Sequence, residues 1–359
     1  MKSALQTIAK LEQIVQRDEG GRGMRHLCQP SGTLATTALA LFHAQNVVLV
    51  TGFPCLMQHE IPTETDGPSG TVAICRALTR MGKSKKVTIV TDDCNKTVVE
   101  ACANIDVDLK NTHWSFKSFP PSDQWNETEQ HRLMEVVKDC EHILALERAS
   151  ESQDGNAYTM SGNIMGKDML APLDQLFSEK VRKKYPRYKT SCVGDGGNEM
   201  GMHAVRDAIV THIPNGAMIA SASSADHVLA ASVSNWGGYA VAAALEVLAI
   251  DDDVKNKEVL PWYPLLPPNA EETRAVEAVV QAGGRDGVTG KLEVSVDGMS
   301  MDVSLGILNE LRDEVDLYAQ KTFPAMTFRE KLIVFCSTDT YTFMELMRMH
   351  ARDMAQGRI

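Results

Sequence analysis

Apolar positions in this chain fall into two kinds of run. Five are short, nearly unbroken and rich in β-branched residues: NVVLVTGF (46–53), KVTIVTDD (86–93), HILALER (142–148), TSCVGDGG (190–197) and DHVLAASVSN (226–235). Such runs predict strands buried on both faces. Between them lie segments with helical spacing, at 31–44, 68–81, 95–103, 126–138, 169–184, 198–210 and 237–250. The first residues, MKSALQTIAKLEQIVQRD, read as an amphipathic helix of mixed charge. Alternating strands and helices predict an α/β fold, doubly wound around a mostly parallel, Rossmann-like sheet, over residues 1–250. Residues 251–359 read differently: DDDVKNKEVLPWYPLLPPNAEE is proline-rich and acidic, 283–300 is a loop with a short strand pair, and helical patterns return at 271–282, 301–320 and 327–354. These predict a C-terminal α-rich appendage packed on the same domain.

Open parallel sheets bind ligands beyond the carboxyl ends of their strands. Each expected strand ends in polar or glycine-rich residues: Thr51-Gly52, Asp92-Asp93, Glu147-Arg148, Asp195-Gly196-Gly197-Asn198-Glu199 and Asn235-Trp236-Gly237-Gly238. Five such ends suggest one shared cleft. PTETDGPSG (62–70) and QPSGT (29–33) each precede a helix, where free backbone N–H groups favour an anion. Plain capping by Asp66, Ser31 and Thr33 competes with that reading. The cleft carboxylates are then Asp66, Asp92, Asp93, Glu147, Asp195 and Glu199, with Arg148 and Lys167 as cations. Glu147 and Arg148 are adjacent, so strand geometry sends at most one of them into the cleft. Asp195 can act chemically or cap the helix expected from Asn198. One of Asp92 and Asp93 is expected to cap the helix at 95.

Composition narrows the ligand. The chain has 359 residues, 43% hydrophobic and 23% charged, with a formal net charge of −11. That acidity argues against a nucleic-acid or anionic-membrane binder. No run of 18 apolar residues exists to span a membrane. Eight cysteines (28, 55, 75, 94, 102, 140, 192 and 336) form no C-x-x-C pair and lie mostly in apolar runs, which points to reduced thiols. No histidine pair has metal spacing, so zinc catalysis is disfavoured. No cofactor is certain, but a hard cation such as Mg²⁺ or Mn²⁺ on Asp66, Asp195 and Glu199 stays open. No phosphate loop is present, and the glycines at 194, 196, 197 and 201 only approximate a dinucleotide fingerprint. The oligomeric state is left open, a homo-oligomer included.

VGDGGNEMGM (193–202) and SNWGGYAVAAAL (234–245) carry a resemblance, supported by TETDGPSG (63–70), ALERASESQDGNAYTMSGN (145–163) and VDGMS (296–300). With these motifs the chain resembles the C-terminal catalytic domain of the D-glutamate cyclase family over nearly its whole length. The resemblance implies reversible dehydration of D-glutamate to 5-oxo-D-proline. It also implies a mitochondrial matrix location and, in vertebrate members, an additional N-terminal domain. One departure is Ala149-Ser150, where the family pattern has proline and glycine.

For that reaction the residues suggest roles. Asp195, Glu199 and Asp66 divide the acid and base work. Asn198 and the amides of Gly196 and Gly197 stabilise the oxyanion. Gly67, Arg148, Thr51, Gly52, Asn235 and Trp236 contact the substrate, Arg148 through a bidentate carboxylate contact unless it turns outward into a solvated ion pair. Two rivals remain at this level: a nucleotide-binding enzyme using Asp92 or Asp93 on a ribose, and a non-catalytic amino-acid sensor on the same sheet.

Overall fold

A computed structural model of the chain describes residues 2–322, apart from 22, 29–31, 82–84, 106–108, 110–113 and 257–263. The expected helix at 327–354 and Cys336 lie outside the described residues. The central sheet is built from β1 (Asn46–Gly52), β2 (Lys86–Asp92), β3 (Trp114–Phe119), β4 (His142–Arg148), β7 (Lys189–Gly194) and β8 (His227–Ala230). Two small hairpins, β5 (Ala157–Tyr158) with β6 (Ile164–Met165) and β9 (Ser295–Val296) with β10 (Met299–Ser300), stand apart. The six central strands are parallel, in the order β3-β2-β1-β4-β7-β8.

Alternation along each strand divides the core between two faces. On β1, Val47 and Leu49 join one apolar cluster while Val48 and Val50 join the other. Helices α1 (Lys2–Val15), α2 (Thr33–His43), α3 (Pro68–Arg80), α4 (Lys96–Ala103) and α9 (Ser234–Asn256) cover the first face. So do α10 (Asn269–Gln281) and α11 (Met301–Thr322). Helices α5 (Glu127–Val137), α6 (Glu179–Lys184), α7 (Arg206–His212) and α8 (Gly216–Ile219) cover the second. Burial on both sides is why the strands read as continuous apolar runs.

Several expected elements differ. The edge strand β3 lies between two expected helices and was not anticipated. Its exposure alternates, because an edge strand is only half covered. The expected helix at 169–184 is a short 3₁₀ turn followed by α6. The expected helix at 198–210 begins only with a 3₁₀ turn at His203 and α7 at Arg206, because residues 198–200 are bound to the end of β4 instead. The run 226–235 gives a strand only to Ala230, and Ser234 already opens α9. Helix α9 runs through position 250, and α10 and α11 join the same apolar cluster as α1 to α4.

Helices α3 and α9 meet through glycines. A Cβ on Gly238 would lie 2.6 Å from both the Cα and the carbonyl oxygen of Gly70. Alanine normally helps a helix interior, but backbone atoms cannot yield here. Gly238→Ala is expected to destabilise the chain by about 1–3 kcal/mol, the usual cost of overpacking. A lower denaturation midpoint in urea would register it.

Glu246 gives a pH-dependent counterpart. It is buried on α9 and its Oε2 accepts the Leu265 N–H at 2.9 Å. Burial pushes its carboxyl from 4.5 up to about 8. A raised folded pKa contributes stability below the unfolded value of 4.5, and that contribution is lost as pH rises through about 8. Glu246→Gln keeps the acceptor oxygen and removes the titration. Denaturation curves should therefore show the variant gaining stability over wild type at alkaline pH, with the difference shrinking toward acid pH.

Candidate active site

Strand order reverses between β1 and β4, which is where doubly wound sheets open a crevice. The register slips there: Thr51 pairs with Leu146 and Gly52 with Arg148, so Glu147 is skipped. Glu147 takes φ +43°, a left-handed conformation that costs a residue with a side chain energy. This turns its carboxylate into the crevice while Arg148 points the other way. Asp195 follows β7, the neighbour of β4, and Asp66 comes from the loop after β1. One oxygen each from Asp66, Glu147 and Asp195 lies within 4.8 Å of the others, and all three residues are buried.

The loops holding these residues are stitched by their own side chains. Asp66 accepts the N–H groups of Gly67 (3.0 Å), Ser234 (2.8 Å) and Asn235 (2.7 Å), and so caps α9. Asn235 returns the arrangement: its Oδ1 accepts the N–H groups of Gly67 (3.0 Å) and Gly70 (2.8 Å), and its Nδ2 donates to the Thr65 carbonyl. Glu199 fills the glycine loop from within. Its carboxylate accepts the N–H groups of Asp195 (2.7 Å), Gly196 (2.5 Å) and Gly197 (2.6 Å). Ser150 N donates to the Asn198 carbonyl and Met200 N to the Arg148 carbonyl, tying this loop to β4. At the start of α2 Glu12 likewise accepts the N–H groups of Gly32 (2.7 Å) and Thr33 (3.1 Å).

Two further carboxylates flank the cluster. The Glu64 and Arg285 backbones pair, and Thr65 N donates to the Arg285 carbonyl, which brings in the segment carrying Asp297. Burial, followed by the charges of Asp297, Asp66 and Asp195, holds the Glu64 carboxyl well above the usual range. Glu147 is raised well above it too, by burial first and then by Asp195, Glu199, Glu64 and Asp66. Glu147 Oε2 is buried and has no hydrogen-bond partner. The Thr51 hydroxyl, also buried without a partner, borders Glu147 beside Gly67. These groups have the chemistry of a cation site: hard oxygen donors, dense negative charge and one open oxygen.

The geometry brings together Asp66, Asp195 and Thr51 of the expected residues, with Gly67 and Asn235 as their scaffold. Glu147 stands at the centre. Other expectations are corrected. Glu199 accepts three backbone amides and lies outside the group of converging oxygens, so it positions the loop. The amides of Gly196 and Gly197 are taken by Glu199, and the Asn198 side chain donates to the Tyr158 carbonyl at 2.7 Å, so none of the three is free as an oxyanion donor. Gly52 faces inward, where a Cβ would lie 2.5 Å from Asn95 Nδ2. Trp236 is buried away from the cluster and donates to Ser304 on α11 at 3.2 Å.

Arg148 neither reaches the cluster nor turns to solvent. It pairs with Asp92 at 3.0 Å, both side chains 0% exposed, and also donates to the Ala171 carbonyl. Asp92 in turn accepts from Asn95 and from Ala171 N. No side chain caps α4, which corrects the expected role of Asp92 or Asp93. Lys167 and Asp93 are exposed. An open groove of about 680 Å³ lined by Asp174, Arg182 and Tyr188 contains no member of the cluster.

Glu147 has no chemical role among the expected residues, and Glu64 and Asp297 are not among them, although TETDG and VDGMS contain the latter two. Acidic residues that alternate with Thr and Gly in a short motif were the available signal.

Residues 11–312 match a family described as D-glutamate cyclase-like, C-terminal. The human protein D-glutamate cyclase, mitochondrial, is 35% identical to this chain, with 83% of this chain and 50% of that protein covered. The chain thus spans about half the length of this relative. Among solved structures, an exopolyphosphatase-related protein from Bacteroides fragilis aligns with a TM-score of 0.30 at 8% identity, covering 84% of this chain and 63% of that one.

Proposed function

This chain belongs to the D-glutamate cyclase-like C-terminal family, and from that premise we propose that it interconverts D-glutamate with 5-oxo-D-proline and water. The observation that carries the reading is the convergence of Asp66, Glu147 and Asp195 at the switch point of the sheet. The amino group of D-glutamate attacks its own γ-carboxyl carbon. The ammonium starts with three protons and the product amide keeps one. Two protons therefore travel from nitrogen to the oxygen that departs as water, with no net uptake. A carboxylate beside the reacting atoms serves that transfer. We assign that transfer to Asp195, the member of the converging trio that stands at the end of β7.

Asp66, Glu147 and Asp195 fit a divalent cation such as Mg²⁺ or Mn²⁺, one oxygen from each. Bound there, it would supply Lewis-acid polarisation of the γ-carboxylate and offset the cluster's repulsion of a substrate with two carboxylates. The nucleotide alternative loses support because the amides of residues 195–197 are already occupied by Glu199. Kinship with the mitochondrial relative favours a matrix location, which fractionation of the native protein tests.

Isotope labelling tests the reaction. The pure chain, given 5-oxo-D-proline in H₂¹⁸O, is expected to release D-glutamate carrying ¹⁸O in the γ-carboxylate by mass spectrometry. Binding of either compound with no label incorporated would make the chain a sensor and overturn the reading.

A further inference from the structure

Asn95 stands directly before α4, where an asparagine usually caps, yet its side chain makes no cap bond to that helix. Its amide is used elsewhere. Nδ2 donates to Asp92 Oδ2 at 2.9 Å, and Oδ1 accepts the Thr63 hydroxyl at 2.6 Å. Asp92 Oδ1 in turn accepts Arg148 Nη2 at 3.0 Å. These four side chains, none more than 1% exposed, form one run of hydrogen bonds from Arg148 through Asp92 and Asn95 to Thr63. Its two ends adjoin the carboxylate trio: Arg148 follows Glu147, and Thr63 opens the run Thr63-Glu64-Thr65-Asp66. Strand β1 lies between β2 and β4, so the Arg148–Asp92 pair spans its carboxyl end. Gly52 makes room there, since a Cβ on it would lie 2.5 Å from Asn95 Nδ2 and 2.6 Å from Thr91 Oγ1. The Thr63 end is tied down as well. Its carbonyl accepts the Arg285 N–H at 3.1 Å, and Thr65 N donates to the Arg285 carbonyl at 2.8 Å, so residues 63–65 are held as one piece.

We propose that Asn95 is a positioning residue: by tying Thr63 to Asp92 it sets the Asp66 carboxylate at its working distance from Glu147. The inference deepens the functional reading above and rests on it for the reaction. Asp66 is already bound to the start of α9. The run through Asn95 adds a tie to β2 and to β4, the strand that carries Glu147. Fully satisfied buried hydrogen-bond networks specify one arrangement of the groups they join. A misplacement of about 1 Å can cost on the order of 10²-fold in rate. Loss of a partner behind a metal ligand typically costs about 10–100-fold in affinity or activity.

Thr63→Val tests this, because valine keeps the shape of threonine and donates nothing to Asn95. In that variant kcat for D-glutamate should fall at least about tenfold, with KM within about threefold of wild type. The Mn²⁺ dissociation constant, read from the electron paramagnetic resonance of free Mn²⁺, should rise at least about tenfold. Thr63→Ser, which restores the hydroxyl, should recover both. Asn95→Ala should reproduce Thr63→Val, and it carries the test should Thr63→Val not fold. Circular dichroism and a cooperative urea transition confirm folding of each variant. A folded Thr63→Val or Asn95→Ala with wild-type kcat and Mn²⁺ affinity, or no recovery in Thr63→Ser, overturns the proposal. A wild-type chain that binds Mn²⁺ yet forms no 5-oxoproline would sink the functional reading alone, and the Mn²⁺ affinities of the variants would still decide this one.

Discussion

Asp195→Asn should leave the fold intact and lower turnover of D-glutamate by about 10²-fold or more, the usual scale for losing acid–base assistance. The loop 194–201 is held by the Glu199 carboxylate and by backbone pairing to β4, and neither uses the Asp195 side chain. Asparagine matches aspartate in shape but neither accepts a proton at neutral pH nor balances a cation. A cooperative urea transition and an unchanged circular dichroism spectrum should show that the variant stays folded. Glu199→Gln should behave oppositely. Its amide nitrogen would face backbone N–H groups, leaving a buried donor unmade at a cost of about 1–3 kcal/mol. Stability and turnover should then fall together. An Asp195→Asn variant with near wild-type turnover would remove Asp195 from the chemistry.

Arg148→Ala should be the most destabilising single change at the carboxyl ends of the strands. Its partner Asp92 would be left charged and fully buried, and breaking a buried pair costs about 3–5 kcal/mol. Burial already raises the Asp92 carboxyl despite the opposing pull of Arg148. Adding Asp92→Asn should recover part of the loss, because the orphaned charge is what costs most. Chemical denaturation of the two single variants and the double variant measures the coupling. A higher KM with unchanged stability would instead return Arg148 to the role of substrate anchor. No change in either would make the pair a solvated one, contributing only about 0–1 kcal/mol.

The strands were legible because burial on both faces leaves one kind of pattern, and all five expected runs fall in the central sheet. Strand β3 was not, since an edge strand alternates weakly and WSFKSF sat between stronger helical signals. Within the crevice, the strand ends pointed to the right place, and Asp66 and Asp195 are there. What the chain alone did not reveal is which amides are already used. The described amides that read as anion donors are taken by internal groups: those of Gly32 and Thr33 by Glu12, those of Gly67 and Gly70 by Asn235, those of Gly196 and Gly197 by Glu199. A carboxylate three or four residues along, as Glu199 is, can fold back into its own loop, and local spacing does not separate that from a cap or a catalytic acid. Glu147 was hidden for a different reason. Its inward turn depends on a register slip between β1 and β4, which is a property of the paired strands and of neither sequence run. Glu64 and Asp297 meet only because the Glu64 and Arg285 backbones pair across the fold.

The central claim is that buried carboxylates at the switch point cyclise one enantiomer of glutamate. Chiral chromatography of the pure chain incubated separately with D- and L-glutamate, with Mn²⁺ supplied, tests it most directly. 5-Oxoproline is expected from the D enantiomer alone. Equal formation from both enantiomers, or none from either, would contradict it.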